Sequence, residues 1–251
     1  ALFAHEVGQD LEVFDGGAER ENLTLTVEQL PAPDKMGRVL ELLAEHTNAS
    51  KIGVLAYSAG AQVTSPPLAL LGTPRPGESR EKLRQRLRLG QIYFAAPDID
   101  TRSFVDQLKA YVDIADRVSL SINLNDSVLR FAALVARGSR AGRPDVGELG
   151  AEQTTFLVDA SNELRFDVIN VDPDDIPNLP PRSHAFWYDD PWVSGDLLVQ
   201  FLLNSPPDQR GLDAQATPSG KRYWGFPADY DRRVVRIIRA AIGQALTPAP
   251  R

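Results

Sequence analysis

The sequence predicts an α/β fold in which a mostly parallel sheet is flanked by helices. From about residue 52 onward, short apolar runs rich in β-branched residues alternate with segments of helical period, which is typical of βαβ units. The runs are nearly continuous in apolar content, as expected of parallel strands that are covered by helices on both faces. The strand candidates are Ile52 to Ala56, Gln91 to Ala95, Val118 to Leu124 and Phe166 to Val171.

Further elements are predicted before and after this core. An apolar stripe over Asp34 to His46 indicates a helix, and the alternation over Leu23 to Val27 favours another strand. A second apolar stripe predicts a C-terminal helix over Tyr230 to Leu246. We expect the segment 139–163, rich in Gly and polar residues, to be a long surface excursion, and 172–192 to be irregular.

The organisation that follows is a single domain over 1–251. Its core covers about 22–204, and 205–251 forms a C-terminal extension that carries a helix.

Composition excludes several classes of function. The net charge is −7 in 251 residues, which argues against nucleic acid as a partner. No apolar run approaches the roughly 18 residues of a membrane span, so we expect no integral membrane segment. Cysteine is absent, which rules out disulfides and thiolate chemistry. We expect a soluble chain with no visible targeting segment, and the compartment and oligomeric state stay open.

The stretch 73–89 is Pro-rich and then strongly basic. A surface loop followed by a solvated helix face is the favoured interpretation, with a patch for an anionic ligand as the alternative.

The segment IGVLAYSAGAQV, residues 52–63, carries the first candidate for catalysis. Its Ala56-Tyr57-Ser58-Ala59-Gly60 differs by one substitution from the G-x-S-x-G elbow, in which a strand turns sharply into a helix and exposes a serine hydroxyl. An apolar strand precedes Ser58 and a plausible helix follows it, which favours a nucleophile over a buried or capping serine.

A serine nucleophile needs a histidine base, and the chain has three histidines. His46 ends a predicted helix, where a cation is favoured for structural reasons, and His5 lies in the poorly defined start. His184 follows the last predicted core strand, which is where this architecture delivers its base. We therefore predict His184 as the general base.

The acid is expected after a strand between serine and histidine in the chain. Asp98 or Asp100, after the strand that ends at Ala95, and Asp126, after the strand that ends at Leu124, both qualify. Asp126 is favoured because its strand is the next after that one and directly precedes the histidine-bearing segment.

Five motifs in this order resemble an α/β-hydrolase family of bacterial, largely uncharacterised, esterase- or lipase-like proteins. They are the elbow, Ala96-Pro97-Asp98-Ile99-Asp100, Asn125-Asp126, Arg140-Ala141-Gly142 and Ser183-His184-Ala185-Phe186.

The resemblance spans about 34–204 and implies an α/β-hydrolase fold with Ser58 as nucleophile, Asp126 as acid and His184 as base. Tyr57 and Ala59 depart from the family's usual elbow residues, and Ser183 stands where glycine is usual. The family also has a strand ending in His-Gly before the elbow, and Leu2 to His5 could be a relic of it. Because only 57 residues precede Ser58, the favoured interpretation is an N-terminal part that is abbreviated or missing, supplied by another chain, or diverged.

These observations predict a serine hydrolase that acts on a small or medium carboxylic ester through an acyl-enzyme and needs no cofactor or metal. The Ala59 amide is the expected oxyanion donor, and Tyr57, Phe186 and Trp187 are candidates for an apolar acyl pocket. Because aromatic clusters also form cores, packing is the alternative for these rings.

Two other functions compete with the hydrolase. A hydrolase-like scaffold that binds a partner without catalysis is the main one, motivated by the short start and the altered elbow. A Ca²⁺ site at Asp172, Asp174 and Asp175 is disfavoured, because the segment lacks the ligand spacing and glycine of a Ca²⁺ loop, and an acidic turn is expected instead.

Overall fold

The computed structural model describes residues 2–7, 10–15, 32–163, 165–180, 182–217 and 222–246. Side chains are described from residue 35 to 243, with short gaps. The strand predicted over Leu23 to Val27 lies outside these residues. The strands are β1 Leu2–Val7, β2 Asp10–Asp15, β3 Ile52–Tyr57, β4 Leu89–Ala95, β5 Arg117–Ile122, β6 Phe166–Asn170, β7 Asp213–Ala216 and β8 Arg222–Gly225.

Most of the helices lie between consecutive strands, as the alternating pattern predicts. They are α1 Ala32–His46, α2 Gly60–Leu71, α3 Arg80–Leu87, α4 Thr101–Tyr111, α5 Ser127–Ala136, α6 Ala151–Glu163, α7 Phe186–Asp189, α8 Pro191–Leu203 and α9 Tyr230–Leu246.

The main sheet has six strands in the order β3-β4-β5-β6-β8-β7. The neighbours from β3 to β8 are parallel, and β7 runs antiparallel to β8 at the edge. β1 and β2 form a separate antiparallel pair, and Leu2 to His5 lie in β1. The predicted α/β architecture, mostly parallel and flanked by helices, is therefore confirmed.

Alternation along the strands divides the core between the two faces of the sheet. In β4, Ile92 and Phe94 pack with α1 to α4 on one face, whereas Tyr93 and Ala95 pack against the α7–α8 region on the other. On this second face Gly53 in β3 permits close packing, since a Cβ there would lie 2.7 Å from the ring of Phe201. Both faces are therefore buried, which explains the continuous apolar runs.

Three predicted segments differ from the structure. The segment 172–192 was expected to be irregular, but it contains α7 and the start of α8, where Asp190 is the N-cap and Pro191 stands in the first turn. The segment 139–163 was expected to be a surface excursion, but Ala151–Glu163 forms α6. The Gly-rich part ends at Gly150, and the following residues have ordinary helix propensity, so composition averaged over the whole segment was misleading. The segment predicted as a C-terminal extension contributes β7 and β8 to the sheet, and these four-residue strands are too short for a clear pattern.

The basic stretch forms a short surface helix, α3, and its arginines are paired with acids. Arg80 pairs with Asp113, and Arg86 pairs with Glu78. Asp116 accepts hydrogen bonds from Lys51 and Arg84, each at 2.9 Å. These contacts support the structural interpretation of this stretch over an anionic-ligand patch.

Candidate active site

The turn after β3 holds Ser58 in a strained conformation. Its φ of 50° lies in the left-handed region, which a non-glycine residue rarely adopts. Hydrogen bonds on both sides fix this backbone: the Ser58 amide donates to the carbonyl of Ala95 at 3.0 Å, and the Ser58 carbonyl accepts from the amide of Asp98 at 2.9 Å. The chain then enters α2 at Gly60. This is the strand-to-helix elbow that the sequence predicts, and it presents the hydroxyl at the carboxyl edge of the sheet.

The three predicted site residues lie in one hydrogen-bonded chain. His184 Nε2 is 2.8 Å from Ser58 Oγ, and His184 Nδ1 is 2.6 Å from Asp126 Oδ2. Asp126 has no exposed surface, and the exposed fraction of the His184 side chain is 12%. With the Nδ1 proton directed at the carboxylate, Nε2 carries the lone pair that faces the serine hydroxyl.

Asp126 also begins α5. Its Oδ1 accepts hydrogen bonds from the amides of Val128 at 2.9 Å and Leu129 at 3.0 Å, which is an ordinary N-cap. The two carboxylate oxygens are thus divided between the helix and the histidine. Capping was the competing interpretation of this residue, and the structure shows that capping and contact with His184 occur together.

The alternative acids are engaged elsewhere. Asp98 Oδ1 accepts a hydrogen bond from Arg140 Nε at 2.5 Å. Asp100 caps α4, with its Oδ1 2.9 Å from both the amide and the hydroxyl of Ser103. Neither carboxylate contacts His184, whereas the Asp126 carboxylate does.

Several contacts that the sequence did not predict hold the site together. Asn123 is buried, and its Nδ2 donates to the carbonyl of Ser183 at 2.9 Å, which fixes the residue before His184. The Gly142 amide donates to the carbonyl of Pro97, and the Gly142 carbonyl accepts from the amide of Asn123. The resemblance had singled out Arg140-Ala141-Gly142 without a role, and the structure makes it a strap between the ends of β4 and β5.

Gly142 is required by close packing. A Cβ at this position would lie 2.6 Å from the backbone carbon of Ala96 and 2.7 Å from the nitrogen of Pro97. These are backbone atoms and cannot move aside easily, so the strap tolerates no side chain here.

Aromatic rings surround the histidine. The Tyr57 ring centroid lies 5.2 Å from that of His184 and 5.5 Å from that of Trp187. Burial, and after it the neighbouring Tyr188 and Asp126, raise the pKa of Tyr57 to about 12, so its phenol stays neutral at neutral pH. Phe186 is fully buried in the core, so of the three predicted pocket residues only Tyr57 and Trp187 remain beside the site.

The amide of Ala59 lies at the N-terminus of α2 and is assigned no acceptor in the described part of the chain. Such an amide, with the positive end of the helix dipole behind it, is a donor for a negative oxygen. It follows Ser58 directly and is available to a group bound at that hydroxyl.

The described residues contain no cluster of three or more His, Cys, Asp or Glu arranged to hold a metal ion. Asp172 accepts a hydrogen bond from the amide of Asp174 at 3.0 Å, as in an acidic turn.

Across the helices of the described ranges, none combines the length and apolar character that a membrane crossing requires.

The fold, with a serine elbow after a parallel strand, is that of an α/β hydrolase. Residues 9–177, about two thirds of the chain, match the family described as alpha/beta hydrolase of unknown function (DUF900), and the chain belongs to that family. The matched region contains Ser58 and Asp126 and ends before His184. No curated protein and no solved structure matched the chain.

Proposed function

We propose that this α/β hydrolase is a serine esterase that cleaves carboxylic esters through an acyl-enzyme. The observation that carries the proposal is the continuous hydrogen-bonded chain from Ser58 Oγ through His184 to the buried Asp126 carboxylate. A serine with a structural role does not need a histidine oriented by a buried acid. A nucleophilic serine needs such a histidine to remove its proton.

In the first step, His184 Nε2 takes the proton of Ser58 as its Oγ attacks the acyl carbon. Asp126 stabilises the imidazolium that forms, and it keeps its own charge. The Ala59 amide donates to the oxygen that becomes negative, and one such donor contributes about a hundredfold to a thousandfold in kcat. His184 then returns the proton to the leaving alcohol, which breaks the ester bond.

The second step releases the acyl group. His184 removes a proton from water, the resulting hydroxide attacks the acyl carbon, and Ser58 leaves with the proton from the histidine. Atoms and charge balance without a cofactor. The carboxylic acid and the regenerated serine are the products.

The aromatic rings favour an ester with an apolar part. Tyr57 and Trp187 lie beside His184, and neither carries a charge that would select an anionic substrate. The proposed substrate is a small or medium ester with an apolar part.

Hydrolysis of a short p-nitrophenyl ester tests the proposal. Ser58→Ala should lower kcat by about ten-thousandfold or more, because nucleophile and base act as a unit. Ser161→Ala is the matched control, since Ser161 is a half-buried serine whose hydroxyl, among the described residues, bonds to the carbonyl of Val158 and not to a histidine. Equal activity of the two variants would refute the esterase. A folded wild-type chain with no activity on any ester would favour the partner-binding scaffold.

A further inference from the structure

Helix α5 presents an apolar face to solvent directly beside the candidate active site. Phe131 is 69% exposed, Leu134 is 73% exposed and Val135 is 69% exposed, and Val128 at the start of the helix is half exposed. With about 3.6 residues per turn, these four side chains form one continuous stripe along the outer face. The inner face is held against the body of the protein by Leu129, which is fully buried.

Arginines border this stripe, although the chain as a whole is acidic. The segment 127–144 contains four arginines and no acidic residue, against a net charge of −7 for the chain. Arg140 pairs with Asp98, but the side chains of Arg130 and Arg137 are exposed and have no carboxylate partner among the described residues. Both fall on the same edge of the stripe, next to Leu134.

The position of the stripe relative to the site is fixed at the start of the helix. Asp126, which contacts His184, is the N-cap of α5, and the hydroxyl of Ser127 donates to the carbonyl of Arg182 at 3.4 Å. Arg182 is itself exposed, so a third cation stands two residues before His184. A surface that covers the stripe would therefore lie beside Ser58.

We propose that the outer face of α5 docks on an anionic lipid surface. An exposed apolar stripe with arginines along one edge is the pattern of a helix that lies in the plane of a membrane, with its apolar side chains among the acyl chains and its cations on the phosphates. A protein partner would need acidic residues placed opposite these arginines and an apolar surface opposite the stripe. An anionic bilayer supplies both, with phosphates at its surface and acyl chains beneath them.

One consequence rests on the proposed function. If Ser58 is the nucleophile of an esterase, docking through α5 presents it with esters held in the lipid surface, which narrows the substrate class to small or medium esters that partition into such a surface.

Vesicle co-sedimentation tests the surface independently of catalysis. The full chain with Ser58→Ala is mixed with vesicles of phosphatidylcholine alone or of phosphatidylcholine with phosphatidylglycerol. We expect binding to the anionic vesicles that weakens as salt is raised, and much less binding to phosphatidylcholine. Equal binding to both vesicles would overturn the role of the arginines.

Two pairs of substitutions locate the contact. Phe131→Ser with Leu134→Ser should weaken binding at least about tenfold, and Arg130→Gln with Arg137→Gln by roughly fivefold for each arginine. Leu70→Ser is the matched control, because Leu70 is 68% exposed on α2, outside this stripe, and should leave binding unchanged. All of these side chains are exposed, so circular dichroism should show folded variants. A loss as large in the control as in the pairs would overturn the proposal.

Other outcomes separate this proposal from the esterase. A wild-type chain that hydrolyses a dissolved ester and ignores vesicles overturns the lipid surface alone. Binding to vesicles without ester hydrolysis overturns the proposed function and leaves the surface standing. A third outcome is a chain that does not bind vesicles but associates with itself, and that loses this association when Phe131→Ser and Leu134→Ser are combined. This result would identify the stripe as a contact between two copies and refute lipid docking.

Discussion

The two roles of Asp126 can be separated by replacing it with asparagine. In Asp126→Asn the Oδ1 that caps α5 is retained, because asparagine and aspartate are similar N-caps. The oxygen that faces His184 becomes an amide nitrogen, which donates a hydrogen bond instead of accepting one. His184 must then accept at Nδ1 and carry its proton on Nε2, which is the wrong tautomer to take the proton of Ser58.

The expected loss is large for activity and small for stability. A wrong tautomer in a triad of this kind lowers kcat by about ten-thousandfold, which corresponds to about 5.4 kcal/mol of transition-state stabilisation. The folding free energy should fall by only about 1 kcal/mol, since the cap remains and only its charge near the helix dipole is lost. Hydrolysis of a p-nitrophenyl ester and urea unfolding measure the two quantities.

Asp100→Asn is the matched control, because Asp100 caps α4 in the same way and has no contact with His184. It should lose a similar amount of stability and keep its activity. If Asp126→Asn retained activity within about tenfold of wild type, or if the control lost as much, the tautomer reasoning would be refuted.

Three other perturbations have defined outcomes. Asn123→Ala should lower kcat by about ten- to a hundredfold with little change in KM, because the residue before His184 loses its anchor; steady-state kinetics with an unchanged kcat would contradict this. Gly142→Ala should lower the free energy of unfolding, measured in urea, by about 1–3 kcal/mol, because the new Cβ would contact backbone atoms. Gly195→Ala is the control, since Gly195 in α8 has open space around it and the change should not destabilise the fold. Equal losses of stability would contradict the packing explanation. Although burial opposes it, hydrogen bonds from two basic side chains lower the pKa of Asp116 below its ordinary 3.8, so its contribution to stability is present above that pH and is lost as pH falls further. The thermal unfolding temperature should therefore fall less steeply with decreasing pH for Asp116→Asn than for wild type. Parallel curves of the two proteins would contradict this role of Asp116.

The sheet and the candidate site were predictable because both depend on local patterns. The central strands are covered on both faces and therefore read as apolar runs, and the elbow joins such a run to a helix at Ser58. Three histidines left few choices of base, so position in the chain was enough to single out His184. Asp126 was harder to predict, because an N-cap and a partner of the histidine have the same sequence signal.

What the sequence could not provide depends on contacts between distant segments. Asn123 looks like any turn residue until its side chain is seen to bond the backbone before His184, 60 positions away. Gly142 resembles an ordinary loop glycine, and only its closeness to Ala96 shows why a side chain is excluded. β8 is four residues long and is recognisable only because β6 lies beside it. The exposed stripe of α5 was equally hidden, since apolar residues predict burial.

The most direct measurement of the central claim is the reaction of the wild-type chain with a fluorophosphonate, followed by peptide mass mapping. The proposal predicts a single adduct on Ser58 that forms rapidly in the wild type and far more slowly in Asp126→Asn, because the probe reports an activated serine. A folded chain that stays unlabelled, or one labelled at another residue, would contradict it.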